Sequence, residues 1–196
     1  MVNATLWILA PMVLLAIVRP WTIRPIEGEK STIFEPGTFA AAAWPRLQRE
    51  ASETAADVAD IAAAAGASTT RPRFVKGTGV VTAVDRQSRV GIVRLQLAGA
   101  RPATVAIQIG PVIRGTALRD ATSFIQFSDF KNQFDYAGGA NALNDYALRT
   151  VVAPIDFDTA QGRTLTFIGA FGKSAVREDG AIEIVPVQLE IREAAK

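Results

Sequence analysis

Apolar and polar positions divide the chain into regions of different period. From Val2 to Val18 the sequence is uncharged and almost wholly apolar, ending at Arg19-Pro20-Trp21. About 17 such residues is the lower limit for a spanning helix and longer than the apolar core of a usual signal peptide. Residues 1–20 are therefore read as a transmembrane or signal-anchor segment. A cleaved signal peptide or a buried helix is the alternative, although no positive n-region or clean cleavage site is visible. Residues 21–37 hold two prolines, Pro25 and Pro36, and mixed charge, and read as a tether. Residues 38–66 are rich in alanine and charge, with Phe39, Leu47, Val58 and Ile61 as large apolar anchors and Gly66 as a stop. They predict a helix, broken at Trp44-Pro45, that covers a core rather than supplying one.

After Arg73 the period changes to two. Thr78–Asp85 and Arg89–Leu97 are β-branched runs joined by a polar turn. Thr104–Ile109 follows, giving a three-stranded antiparallel meander with Arg94, Gln96, Thr104 and Gln108 pointing outward. Residues 128–152 return to helical spacing, with Ser128 as N-cap and a kink at Gly138-Gly139. Arg163–Gly169 and Ala181–Ile191 complete the strands. The apolar phase of the last one switches at Pro186, where a bulge or barrel corner tolerates the missing N–H. Three strands, a helix and two strands predict a mainly β, α+β domain over 73–196. Its expected form is an oligonucleotide/oligosaccharide-binding (OB)-like, five-stranded antiparallel Greek-key barrel with an inserted helix.

Composition narrows the chemistry. The 196 residues include no cysteine and no histidine. Disulfides, cysteine nucleophiles, histidine bases and ordinary zinc sites are thereby excluded. The formal charge is only +2, and the strands from Thr78 to Ile109 carry no aromatic residue. A single-stranded nucleic-acid groove needs both basic residues and stacking platforms, so no nucleic-acid partner is expected. Gly172-Lys-Ser174 has Phe167 where a phosphate loop needs glycine. Gly77-Thr-Gly79 lacks the third glycine of a dinucleotide fingerprint, and Asp156 with Asp158 lacks calcium-loop spacing. No cofactor or metal is predicted.

The densest chemistry lies between Ile109 and Tyr136. Arg114, Thr116, Arg119, Asp120, Asn132 and Gln133 are the candidate ligand or partner residues, since guanidinium forks bind carboxylates and line sugar sites. The competing reading makes them caps and buried ties between helix and barrel. Phe124, Phe127, Phe130 and Phe134 are expected in the core at the open end of the barrel. An enzyme would depend on Asp120 or Asp129 as base with Tyr136 or an arginine as electrophile, and no catalytic residue is assigned.

Lys76-Gly-Thr-Gly-Val-Val, Gly110-Pro-Val-Ile-Arg-Gly-Thr-Ala-Leu-Arg-Asp120, Phe127-Ser-Asp-Phe-Lys-Asn-Gln133 and Gly169-Ala-Phe resemble a bacterial family of predicted periplasmic lipoproteins, domain of unknown function family 2291. The resemblance runs from the apolar segment to Ile191. It implies an extracytoplasmic domain anchored at the inner membrane, often encoded beside sugar-uptake ABC transporter genes, with a transporter component or solute-binding protein as partner. Arg19 and Arg24 argue the other way, because positive charge favours the cytoplasmic side; the longer match outweighs them. Members of the family carry a lipid-attachment cysteine, which this chain lacks, so a protein anchor would replace the lipid. The resulting expectation is a membrane-tethered, non-enzymatic accessory or binding module. A structural, self-associating envelope protein and a glycan-acting enzyme are the alternatives.

Overall fold

A computed structural model describes residues 33–63, 72–97, 103–177 and 179–192. The expected anchor, most of the tether, the helix stop at Gly66 and residues 98–102 between the second and third expected strands lie outside the described residues. The chain divides into Met1–Ile33 and a compact unit, Phe34–Lys196.

In that unit, helix α1 (Pro36–Thr54) is followed by the two-residue strand β1 (Ala56–Asp57) and the short helix α2 (Val58–Ala63). The helix expected over 38–66 is thus two helices. The break is not at Pro45, which lies inside continuous α1, but after Thr54. Strands β2 (Arg73–Asp85), β3 (Ile92–Leu97) and β4 (Thr104–Gln108) form the meander. Next come α3 (Ala117–Asp120), a 3-10 turn at Phe127–Asp129, α4 (Gln133–Ala147) and a π-helical turn at Leu148–Val152. Strands β5 (Thr164–Val176) and β6 (Ile182–Arg192) end the domain.

The sheet has six strands in the order β1-β2-β3-β4-β6-β5, and β2 also pairs with β5, so the hydrogen bonding closes on itself. Two features correct the expected five-stranded antiparallel barrel. β1 adds a sixth strand, parallel to β2, and β4 meets β6 in parallel. The phase switch in β6 has a backbone cause. Ile168 pairs with Gln188 while Gly169 pairs with Pro186, so Val187 is an extra residue, and such a bulge re-aims the strand. β6 accordingly feeds two cores. Ile182 and Ile184 fill the barrel interior with Val75, Val93, Leu95, Ile107, Leu165 and Phe167. Val185 and Val187 pack outward under a helical layer with Phe74, Trp44, Leu47, Leu118 and Leu143.

That second core depends on small residues. Ala40, Trp44, Leu47 and Ala51 recur at one helical face of α1 and are all buried, and Ala142, Leu143 and Ala147 of α4 join them in the same cluster. The helix therefore supplies core as well as covering it. In α4, Gly138 and Gly139 lie within an unbroken helix. A Cβ on Gly139 would stand 3.1 Å from Phe130 and 3.2 Å from Phe39, so the glycine serves close packing rather than a kink. The cap of α4 is Asn132, whose side chain accepts from the Phe134 and Asp135 amides; Ser128 sits in the preceding 3-10 turn.

The β2–β3 turn is closed by Asp85, which accepts from the Gln87 and Ser88 amides at 2.9 and 3.3 Å. The Gln87 amide, then that of Ser88, holds its carboxyl below the usual aspartate range. A folded-state value below the unfolded one stabilises the fold above about pH 3.9, and this is lost as pH falls through the folded value. The Asp85 carboxyl resonance is therefore expected to titrate below about 3.9 by carbon-detected NMR. A midpoint at or above that value would remove these amides as its cause.

Candidate functional site

The loop from Ile109 to Thr116 leaves β4 and is held from two sides by buried amides. Gln108, 3% exposed, accepts from the Arg114 amide at 2.7 Å and donates to the Arg114 carbonyl at 3.4 Å. Its Nε2 also donates to Glu183 Oε1 at 2.7 Å. Asn144 of α4, equally buried, donates to the Gly115 carbonyl at 2.9 Å and to the Ile113 carbonyl at 3.4 Å. Three consecutive residues thus have backbone groups fixed by side chains from a strand and a helix, and Arg114 projects from the centre of that clamp as an exposed residue. Alternation along β4 placed Gln108 outward toward solvent. It is instead roofed by the loop it holds, a contact that strand period cannot reveal.

Beside the clamp is a cleft of about 390 Å³, lined among others by Gln108, Arg114, Thr116, Asp120, Gly172 and Glu183. Its volume lies in the range of small-molecule sites. Both acids are already engaged. Asp120 Oδ1 accepts from Arg119 and Oδ2 from the Thr116 hydroxyl. Glu183 Oε1 accepts from Gln108, and Oε2 from Arg177 at 2.6 Å. All four carboxylate oxygens hold a hydrogen bond. By contrast, Arg114 has no ion-pair partner among the described residues. The acid network runs on through the β5–β6 hairpin, where Asp179 pairs with Arg94 at 2.7 Å. The Ala181 amide, and then Arg94, draws the Asp179 carboxyl below its ordinary range.

The six candidate residues separate into two groups. Arg114, Thr116 and Asp120 meet at the cleft, whereas Arg119, Asn132 and Gln133 do not line it. Arg119 is 8% exposed. It grips Asp120 at 2.6 and 2.8 Å, donates to the Tyr136 carbonyl at 3.0 Å and lies 3.6 Å over the Tyr136 ring. These contacts tie α3 to α4. Asn132 caps α4 and Gln133 is exposed in its first turn. Asp129 closes the 3-10 turn by accepting from the Gln126 amide at 2.8 Å. Sequence reasoning missed Glu183 and Asn144 as site residues. Each looked locally like an ordinary strand or helix position, and the pairing that brings it in spans 29 to 75 residues. Among the described residues no group of acids is placed to hold a metal ion.

The expected core placement of the phenylalanines is also corrected. Phe127 and Phe134 are 56% and 78% exposed, while Phe124 and Phe130 are half-buried. The barrel cluster is instead completed from outside the sheet by Val58, Ile61, Val152 and Phe157, and Phe124 and Phe130 pack against the cluster of the helical layer.

The closed pairing, the helix between the third and fourth barrel strands and the polar cleft define an OB-type domain. The structure resembles an OB-fold protein from Thermotoga maritima, with a TM-score of 0.61 at 19% identity, covering 82% of this chain and 99% of that one. Two OBodies bound to hen egg-white lysozyme match less closely, each at 15% identity. One covers 65% of this chain and 89% of its own with a TM-score of 0.35; the other covers 63% and 98% with 0.31. No functionally curated protein matches the chain in sequence. The sequence model of the family described as "Predicted periplasmic lipoprotein (DUF2291)" matches residues 11–190, and the chain belongs to that family. It does so without a cysteine to carry the lipid that the description implies.

Proposed function

We propose that the protein is a non-enzymatic, extracytoplasmic OB-type module, held at the inner membrane by its N-terminal segment, that binds a small polar solute bearing a carboxylate or sugar hydroxyls. The observation that carries this reading is the clamped loop. Two buried amides fix the backbone around a solvent-facing Arg114 beside a cleft of about 390 Å³. Preorganising one arginine in this way reduces the ordering cost of binding, and a guanidinium offers a planar fork to carboxylate or hydroxyl oxygens. The acids support binding over catalysis. Glycoside hydrolysis needs one carboxyl group to give a proton and another to attack or to activate water, whereas all four oxygens here already accept from protein donors. The family description supports the periplasmic location. A role beside a sugar-uptake system rests on the family resemblance and guides the choice of ligands.

The test is calorimetric titration of the full chain in detergent with a panel of sugars and sugar acids. At least one is expected to bind, and Arg114→Ala to weaken it about tenfold, equivalent to about 1.4 kcal/mol. If no member of the panel binds, or Arg114→Ala binds as the wild type does, the cleft reading is lost.

A further inference from the structure

Five aromatic rings form a continuous array on the outer face of the helical layer. Phe34 packs on Phe39 and Phe130 with ring centres 5.6 and 5.5 Å apart, and Phe39 meets Phe130 at 5.3 Å. Phe130 in turn meets Tyr136 at 5.3 Å, and Phe127 closes on the other side of Tyr136 at 5.3 Å. Phe127 is 56% exposed and Phe134 78%. Phe134 precedes Gly138 by one helical turn of α4, and a Cβ on Gly138 would stand 3.4 Å from the Phe34 ring, so position 134 is on the side of the helix that faces the array. The patch is held rigidly, because Arg119 lies 3.6 Å over Tyr136 and binds its carbonyl. Two exposed phenyl rings on a fixed platform are costly in water.

The position of this patch along the chain indicates what covers it. The compact unit begins at Phe34, itself a member of the array, and the uncharged run ends at Val18. Residues 19–32 can span at most roughly 50 Å at about 3.3–3.6 Å per residue. If the run from Val2 to Val18 lies in a bilayer, the array is attached through Phe34 to a short leash and stays within about that distance of lipid. Aromatic rings favour the membrane–water interface, and a short leash converts weak affinity into high occupancy. Charge is not the attraction, because the exposed Lys131 is offset by Asp129 and Asp135 in the same stretch of chain.

We infer that Phe127 and Phe134 dock the domain onto the lipid–water interface of the membrane that holds its N-terminal segment, by ring insertion rather than by attraction to anionic headgroups. This inference rests on the membrane-tethered reading proposed above.

The absence of cysteine from the chain makes the test direct. Full-length protein carrying a single fluorescent label at Lys131→Cys, beside the rings, or at Gln87→Cys, in the β2–β3 turn, is reconstituted into vesicles. One set is phosphatidylethanolamine with phosphatidylglycerol and one is zwitterionic only, each with a lipid nitroxide near the headgroup end of the acyl chain. Quenching at position 131 is expected to exceed that at 87 several-fold in both sets. Adding Phe127→Ser and Phe134→Ser should return it to the level at 87 while the domain keeps a cooperative thermal transition above the assay temperature. Protein that floats with the vesicles but shows equal water-soluble iodide quenching at the two positions overturns the docking inference alone. Label-to-label self-quenching at 131 that rises with protein density, without lipid-nitroxide quenching, also overturns it and assigns the rings to a second copy. Failure of the full chain to float overturns the tethered reading and the inference together.

Discussion

Truncating Phe167 to alanine is expected to lower the unfolding free energy by about 3–5 kcal/mol, the range for removing a fully buried aromatic side chain. Phe167 is 1% exposed at the centre of the barrel core. It leans on Gly77 of the opposing strand β2, where a Cβ would stand 3.0 Å from the Phe167 ring and 2.7 Å from Val58 Cγ1. Gly77→Ala alone should therefore cost about 1–3 kcal/mol by overpacking. The two losses are not expected to add. Once the ring is gone, one of the two clashes at position 77 disappears and the new methyl occupies part of the cavity, so the double variant should be milder than the sum by at least about 0.5 kcal/mol. Urea unfolding of the four proteins measures this, and strict additivity would show that the ring and the glycine are not in the contact described.

Arg119→Ala is expected to cost about 2–3 kcal/mol, below the roughly 3–5 kcal/mol of breaking a fully buried pair. The discount follows from the 30% exposure of the Asp120 side chain, which lets water take over part of the lost interaction. Arg119→Lys should recover little, because a single ammonium cannot serve Asp120, the Tyr136 carbonyl and the Tyr136 ring face at once. Arg114→Ala, five residues away on the exposed side of the clamp, is expected to stay within about 0.5 kcal/mol of wild type. The contrast separates the two arginines of one sequence motif into a structural and a surface role. Chemical denaturation that finds Arg119→Ala as mild as Arg114→Ala would remove the joint as an important contributor to stability.

The succession of the five longer strands and the helix along the chain was legible because period-two runs and a helical run are local signals, and because Pro186 marks where β6 changes face. What joins distant segments was not legible. The parallel pairing of β4 with β6 has no local signature, and neither does the roofing of Gln108 by its own loop. The second core was missed because Ala40, Ala51, Ala142 and Ala147 are as common in a solvated helix as in a tight helix contact. Their burial depends on the partner helix, not on their own chemistry. The phenylalanines misled in the opposite sense, since a large ring is normally buried, whereas Phe134 is 78% exposed with no facing element among the described residues. Of the candidate site, the loop residues 114–120 were found from their density of polar groups. Their partners Asn144 and Glu183 were separated from them by the topology of the fold.

The bulge at Val187 has one more consequence. By turning β6 in mid-strand it gives one strand membership of both cores, with Ile184 facing the barrel and Val185 and Val187 facing α1 and α4. Neither layer can be removed without stripping the other of part of its wall. The helical layer is therefore not an attachment to a self-sufficient barrel: loss of α1 would uncover the outer face of β6 and weaken the closure of the sheet from behind. Heat or denaturant should melt barrel and helices in a single transition, so that a disturbance at the start of α1 would be felt by the whole domain rather than by its first helix alone.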